Sequence, residues 1–503
     1  MRVSIKHLSA RLGAPLTIAA GAVLLRVLAG VGFANYDTLY ALSWGGQLAR
    51  GENPQYGIPI APTPHPLVEV LGVILSPLGP HAIEHVTVAL GFLALSACGW
   101  VLYRLGSEWF GRAAGLVAAL ILLTRAPVLS YGVRAYVDIP YLLLVLGALL
   151  VESRHRRAGV PVLALLGLAG LLRPEAWVFS GLYWLYLATP WLQRGRAFGS
   201  MGERSLHTRE VGGSKPARPR RDLARLALLA AAAPLLWVAS DWLITAHPLW
   251  SLTNTRHTAT TLDRVTGIGN VPQYIPRRIG EILRPAALAG AALGGVLSLW
   301  WLPQRARLGA VVGVLAVVAF AIFAAFGLPI NTRYAFLAAA ILCLFCGAGV
   351  CGWTRLPRAD PRRRWWMAVG ALMLVALLVS IPSQYHSVDR ELTKLAHQQS
   401  IQDELLALVK DGAITRRCEP VGVPNHAPIP LLALYLETSP RKIVSAEASQ
   451  ITHGTYVDPA SKEVEDDYVL DPHDPHLPVN VPPGFTEAHA NSSWFIFEHC
   501  ESE

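Results

Sequence analysis

One acid, Asp37, stands a few residues beyond the first long apolar run of the chain, residues 15–33. A carboxylate there can take the proton of an attacking hydroxyl, provided it is ionised and within hydrogen-bond reach. Aromatics surround it (Tyr36, Tyr40, Trp44, Tyr56), followed by Pro and Gly turns and then His65 between two prolines. Residues 38–49 bring Leu39, Leu42 and Leu48 near Trp44, the pattern of an amphipathic helix lying in a membrane interface. The plain alternative for residues 35–67 is a structural loop anchored by its belt aromatics, with Asp37 capping the helix that begins near Thr38.

Further polar groups recur between apolar runs: Arg134, Asp138, Arg173, Glu175, Arg277, Arg278, Arg333 and Tyr334. The runs themselves are nearly free of charge, with Arg26 and Asp241 the main exceptions, each near an end. A pump or ion-coupled transporter keeps ionisable groups near mid-membrane. Here they gather at one surface, which favours an enzyme with arginines facing a phosphate and a carboxylate facing an acceptor hydroxyl. Each has a local alternative. Arg134 and Asp138 can pair one helical turn apart, Arg173 and Glu175 can cap short helices, and Arg333 can anchor lipid phosphate. Their convergence on one face carries the argument.

The elements that must hold them are membrane helices. Of 503 residues, 53% are hydrophobic and only 15% charged, with mean hydropathy +0.39. Long apolar runs recur over the first three quarters of the chain. The formal charge of +9 does not mark a nucleic-acid partner, because Arg and Lys sit in short blocks between apolar runs, as in cytoplasmic loops beside anionic lipid. The basic start, residues 1–13, places the N-terminus inside, and the first run lacks a cleavage site and reads as a retained span. Residues 160–187 lie between two basic blocks, so two short helices joined outside at Arg173-Pro174-Glu175 fit better than one crossing. Residues 193–225 form an Arg-rich linker, expected in the cytoplasm. About eleven spans result, with the N-terminus inside, the C-terminus outside and Asp37 outside.

Residues 383–503 are polar and Pro-rich, without a run long enough to span. A helix over 391–409 and strands over 421–423, 442–445 and 494–497 predict a small α/β domain outside the membrane. Acids cluster in 463–467, with His and Asp in DPHDPH, residues 471–476; a solvated acidic loop is the reading favoured over a surface metal site. Cys98, Cys343, Cys346 and Cys351 lie in apolar runs as packing residues. Cys418 and Cys500 lie near strands at the two ends of the polar tail, where a compartment outside the membrane allows either a disulfide or two thiols.

The acid just after the first span, Asn35-Tyr36-Asp37, the broken pair around Leu168–Trp177 and the outer C-terminal domain resemble the membrane-embedded GT-C superfamily. These are polyprenyl-phosphate-sugar-dependent glycosyltransferases, and the closest branches are the protein mannosyltransferase-like (family 39-like) and bacterial lipid A or arabinan ones. The resemblance implies a transmembrane GT-C domain over residues 1–382 and an extracytoplasmic α/β domain over 383–503. It implies transfer of a hexose or pentose from a polyprenyl-phosphate donor to a glycan, lipid or protein acceptor at the outer face of the cytoplasmic membrane. Asp37 would be the general base, and Arg134, Arg173 and Arg333 would face the phosphate. His65, Asp138, Glu175 and Tyr334 would complete the substrate site. Many relatives show a paired acid in this loop; here Thr38 follows Asp37, and no metal or other cofactor is indicated. No nucleotide-binding loop, GxSxG or HExxH is present. The competing class is a transporter or flippase of lipid-linked glycans.

Overall fold

The computed structural model describes residues 5–199, 220–469 and 481–500. The DPHDPH segment and most of the basic linker lie outside these residues. Helices dominate: α1 (Ile5–Ala29), α2 (Tyr36–Ala49), α3 (Pro66–Leu75), α4 (Pro80–Trp109), α5 (Arg112–Leu123), α6 (Ala126–Val133), α7 (Asp138–Arg154), α8 (Val160–Leu172) and α9 (Glu175–Gly199) come first. Then follow α10 (Arg220–Thr245), α11 (Trp250–Thr261), α12 (Val271–Trp301), α13 (Pro303–Ala325), α14 (Phe336–Cys351), α15 (Pro361–Val379), α16 (Ile381–Lys410) and the short α17 (Ile429–Tyr435).

Among the described residues, five helical segments are long and apolar enough to cross a membrane, or seven if the bent pairs α5–α6 (67°) and α15–α16 (42°) each form one span. The eleven crossings expected from sequence include short apolar helices that length and composition alone do not count. Around the bundle, Val27, Leu243, Trp300 and Leu372 are each more than 70% exposed. So many large apolar side chains facing outward fit a lipid belt and not a wetted surface. Helix α14 is the axis of the bundle, with every residue from Phe336 to Ile341 and from Cys343 to Val350 buried.

The break predicted at Arg173-Pro174 is present, and α8 and α9 double back on each other. Gly159, before α8, donates its N–H to the Tyr183 hydroxyl at 3.1 Å, and Trp177 Nε1 donates to Gly170 O at 2.9 Å. A second break falls inside α12 at Arg284 (φ 64°), where the following Pro285 disfavours helical backbone. Residues 247–284, which precede that break, hold α11 and the first half of α12.

Two expectations for the opening loop change. Helix α2 starts at Tyr36 and its N-cap is Asn35, whose side-chain oxygen accepts from the N–H groups of Asp37 (2.9 Å) and Thr38 (3.2 Å). Asp37 is therefore in the first turn and is not the cap. Nor does α2 lie in an interface with one wet face: Thr38 to Gly45 and Gln47 are all buried. Gly45 and Gly72 let the backbones of α2 and α3 touch, since a Cβ on Gly45 would collide with Glu69 O.

The other cover of α2 is the C-terminal domain. The predicted helix over 391–409 begins a full ten residues earlier, at Ile381, and carries the chain away from α15. A five-stranded sheet follows, ordered β2-β1-β3-β5-β4. Its strands are β1 (Val421–Val423), β2 (Ile443–Ser445), β3 (Gly454–Pro459), β4 (Thr486–Ala490) and β5 (Trp494–His499). β1 runs parallel to both β2 and β3, while β3, β5 and β4 are antiparallel, with Tyr456 opposite Phe497. Cys418, just before β1, is bonded to Cys500, just after β5, with Cα atoms 5.4 Å apart. The domain is fastened to the opening loop by polar contacts: Gly32 N–H donates to Gln399 at 2.9 Å, Ser439 Oγ donates to Gln55 Oε1 at 2.6 Å, and Glu84 bridges Ala34 N–H and the Tyr435 hydroxyl.

Candidate active site

The start of α2 opens onto a cavity of about 970 Å³, walled by the helical body on one side and the C-terminal domain on the other. Asp37, His65, Arg134, Arg173, Glu175, Arg333 and Tyr334 all line it, and Asp138 lies directly behind. Residues separated by up to 297 positions thus share one wall.

Their arrangement is an alternating ladder of charge. Arg333 Nη1 donates to Asp37 Oδ2 at 2.8 Å and lies 3.9 Å from Asp138 Oδ2. Asp138, only 1% exposed, pairs through its other oxygen with Arg173 Nη1. Arg173 Nη2 donates in turn to Glu175 Oε1 at 2.5 Å. The Tyr334 ring lies between the two arginines, 4.3 Å from the Arg173 guanidinium and 5.7 Å from that of Arg333. Local structure sets each rung. Asp37 and Asp138 occupy first turns, where an acid meets the positive helix end. Arg173 is extended at the α8–α9 break, and Arg333 sits in the tight turn before α14.

Burial alone would raise the Asp37 carboxyl, but the Arg333 guanidinium, with Arg264 nearby, holds it below the usual carboxylate range. It is ionised at neutral pH, as a base must be. His65 Nδ1 donates to Leu172 O at 2.8 Å, which leaves Nε2 as the acceptor nitrogen. Burial lowers the His65 pKa to about 4, so the ring is neutral.

One local pairing open from sequence does not occur. Arg134 does not meet Asp138; it bonds Ser130 Oγ at 2.8 Å and lies over the rings of Tyr131 and Tyr136, at 5.4 and 5.0 Å. Arg173 does stand at the C-cap of α8 and Glu175 in the first turn of α9, as the sequence allowed, and the two also bond each other. Asp241, expected near a span end, is 2% exposed on the cavity wall, holding Ser251 N–H (2.9 Å) and Oγ (2.7 Å) at the start of α11. Arg278 lines the cavity and Arg277 does not.

The opposite wall was missed. Asn425 and His426, in the loop after β1, face the cavity, as do Lys394, Gln398 and Gln402 of α16. The available signal was the predicted strand over 421–423, because ligands gather at the carboxyl ends of parallel strands. In the acidic stretch 463–467, Glu463 and Asp467 do approach a histidine, His397, at 3.8 and 3.6 Å.

No family model matches the chain, and no curated protein does. Among solved structures, the chain is similar to ArnT from Cupriavidus metallidurans bound to undecaprenyl phosphate. The TM-score is 0.56 at 13% identity, over 97% of this chain and 98% of that one. The apo state of the same ArnT gives 0.55 at 14% identity, with the same coverage. The archaeal oligosaccharyltransferase AglB from Archaeoglobus fulgidus gives 0.48 at 12%, over 88% of this chain and 65% of that one. The end-to-end likeness to ArnT establishes the fold: a many-helix body with a C-terminal α/β domain, as in that structure.

Proposed function

We propose that this chain is a glycosyltransferase that moves a sugar from a polyprenyl-phosphate donor to a glycan, lipid or protein acceptor at the outer face of the cytoplasmic membrane. One observation carries the reading: an ionised carboxylate, Asp37, and two arginines meet on the wall of a single large cavity in a GT-C fold. Outside the cytoplasm no sugar nucleotide is at hand, so the activated sugar must arrive on a lipid. The cavity wall also carries apolar side chains, among them Leu252, Ile322 and Phe323, against which an isoprenoid can lie. ArnT bound to undecaprenyl phosphate, a protein of the same fold, supports that choice of donor.

In the proposed step the acceptor hydroxyl oxygen attacks the anomeric carbon as the bond from that carbon to the phosphate oxygen breaks. The proton passes to Asp37 and the electron pair leaves with the polyprenyl phosphate. Arg333 retains a buried Nε–H without a hydrogen-bond partner among the described residues, a donor for the phosphate as its negative charge grows. Arg173 and Arg134 complete the positive side of the pocket. His65 Nε2 is set to accept a hydroxyl proton from sugar or acceptor.

The test is incubation of the purified protein in detergent with a panel of polyprenyl-phosphate sugars and glycan acceptors, following release of the lipid phosphate. Release coupled to glycosylation is the expected result. A protein that only moves lipid-linked glycans across a membrane releases nothing in this one-compartment assay, and that outcome overturns the reading.

A further inference from the structure

A second cavity lies at the other end of the bundle. Helix α4 has 30 residues and is therefore about 45 Å long at 1.5 Å per residue. Its start reaches the C-terminal domain, where Glu84 accepts from the Tyr435 hydroxyl. Its far end, with the start of α5 and the turn after α14, walls a basin of about 600 Å³. On the topology read from the basic blocks this end faces the cytoplasm. Arg104, Arg112 and Arg355 line the basin beside Trp100 and Tyr103, and Glu108 is the one acid among the described residues of its wall.

These charges find partners unevenly. Glu108 accepts from Arg154 Nε at 2.6 Å, so its charge is already answered. Arg305 Nη1 donates to Glu108 O at 3.0 Å, and Arg355 Nη2 donates to the same oxygen at 3.2 Å and to Ser107 O. Both thereby close the carbonyl end of α4, where cations are favoured. Arg104 and Arg112 are not held in this way. Among the described residues the Arg104 guanidinium meets only the face of Trp100, 5.2 Å from the ring centre, and the Arg112 side chain has no hydrogen bond or ion pair. Arg112 also stands in the first turn of α5, a position that disfavours a cation, with no acid there to offset it. The bias of cytoplasmic loops toward positive charge explains arginines at this face. It does not explain two partnerless guanidinium groups on one concave wall with a third beside them. An anion completes such a wall, and a phosphate accepts from several N–H donors at once.

The strip that leads away from the basin selects the source of the phosphate. Arg112, Leu116 and Leu120 recur every four residues on α5 and share one face. Leu116 and Leu120 are both more than half exposed, so an apolar track runs from Arg112 into the lipid belt. Trp100 and Tyr103 suit the same depth, because amphipathic rings sit where headgroups meet hydrocarbon. A free phosphate would use the arginines and leave the track bare. We infer that the basin binds the phosphate of an anionic phospholipid of the inner leaflet, with Arg104 and Arg112 donating to its oxygens and an acyl chain lying along Leu116 and Leu120. The inference is independent of the transfer reading, since no residue that lines the basin lines the cavity beside Asp37.

The test uses the delipidated full chain in detergent. Affinities are measured for phosphatidylglycerol, for phosphatidylcholine with the same acyl chains, and for inorganic phosphate. Wild type should bind the anionic lipid at least about tenfold more tightly than the zwitterionic one, and inorganic phosphate more weakly than either. Arg104→Gln combined with Arg112→Gln should remove the preference for the anionic lipid. Arg307→Gln combined with Arg364→Gln changes two exposed arginines at the same end of the bundle but outside the basin. It lowers the charge equally and should keep the preference within about twofold, because charges outside the basin are screened. Arg112→Gln alone, at an exposed side chain, should lose about fivefold, and it decides the matter if the double variant does not fold. Equal loss in the two double variants would mean that the whole basic face attracts lipid, and overturns the basin. Inorganic phosphate binding as tightly as the lipid overturns the lipid as its occupant. A wild type without preference between the two lipids overturns the inference outright.

Discussion

On the membrane side of the cavity Asp138, 1% exposed, lies between two guanidinium groups; on the opposite side Asn425, 2% exposed, has an amide nitrogen with no hydrogen-bond partner among the described residues. Both are buried and polar, but their accounts close differently. The ladder from Asp37 to Glu175 largely satisfies itself with protein partners, so its geometry is fixed before substrate arrives. The C-terminal wall keeps a buried amide donor unspent, beside the charged Lys394, Asp466 and Asp467. A preformed ladder of charge suits groups whose positions must be set before reaction. A wall with an unspent buried donor suits recognition, because the wrong partner leaves that group unpaired.

The comparison breaks most sharply at Asp138. Replacing it by Ala leaves two buried arginines without their shared counter-charge, and breaking a buried pair in this way costs about 3–5 kcal/mol. The thermal unfolding midpoint in detergent should fall steeply. The exposed pair Arg50–Glu52, at 2.9 Å, is the control, since exposed pairs contribute about 1 kcal/mol or less. A wild-type midpoint for Asp138→Ala would mean that the ladder is not self-supporting.

Cys418 and Cys500 play the corresponding part on the other wall. They are 82 positions apart, and a bridge over such a loop stabilises by about 4 kcal/mol in the chain-entropy model. Reduction or Cys418→Ser should unfold the C-terminal domain at lower temperature, and with it remove cover from α2. Mass spectrometry of unreduced protein checks the premise, and alkylatable thiols at both positions defeat it.

The unequal legibility of the two walls has a physical cause. Arg173, Asp138 and Arg333 could be placed on one face because apolar run length and the distribution of basic blocks fix which loops lie together. Which charge meets which could not be read, as Arg134 and Asp138 show: sequence offers the neighbour four positions away, while the fold offers Arg173 and Arg333 from other helices, with Tyr131 and Tyr136 covering Arg134. The cap of α2 was mistaken for a similar reason. Asn35 and Asp37 both suit a cap, and only the backbone start distinguishes them. On the second wall, β1 is three residues long and β4 is exposed at every position, so β4 carries no alternation to find. Asn425 lies in a Pro-bounded loop with no periodic signal.

A pH experiment sharpens the first wall. The unfolded chain protonates His65 below about pH 6.5, whereas the folded chain does so only below about 4. Between those values the unfolded state binds more protons, so stability falls as pH drops through this window, by about 3 kcal/mol at most. His65→Gln should flatten that slope between pH 6.5 and 4. An unchanged slope would place the titrating group elsewhere.

Asp37→Asn should reduce turnover at least about a hundredfold, the low end for loss of general-base assistance, equivalent to about 2.7 kcal/mol of barrier. The unfolding midpoint should fall less than in Asp138→Ala, because the amide oxygen can still accept from Arg333, Asp138 remains beside that guanidinium, and the helix cap is supplied by Asn35. With the Asp37 pKa below the usual carboxylate range, the wild-type rate should show no acid limb from this group within that range. Near wild-type turnover in Asp37→Asn would take this acid out of the mechanism.

The smallest effect belongs to Asn35, which joins the start of α2, and so Asp37, to the wall behind it. Its oxygen caps α2, and its Nδ2 donates to Arg134 O at 2.9 Å and to Thr38 Oγ1 at 2.8 Å. Asn35→Ala removes the cap and should cost about 1 kcal/mol of stability. Asn35→Asp keeps the capping oxygen and loses only the donors; Arg134 O is still met by the Asn35 backbone N–H at 3.0 Å, so the midpoint should fall less. If Asp37 works only when α2 holds it against Arg333, Asn35→Ala should also lower kcat severalfold at unchanged donor affinity, while Asn35→Asp stays near wild type. Equal loss in both variants would show that the tie to Arg134, and not the helix cap, sets the position of Asp37.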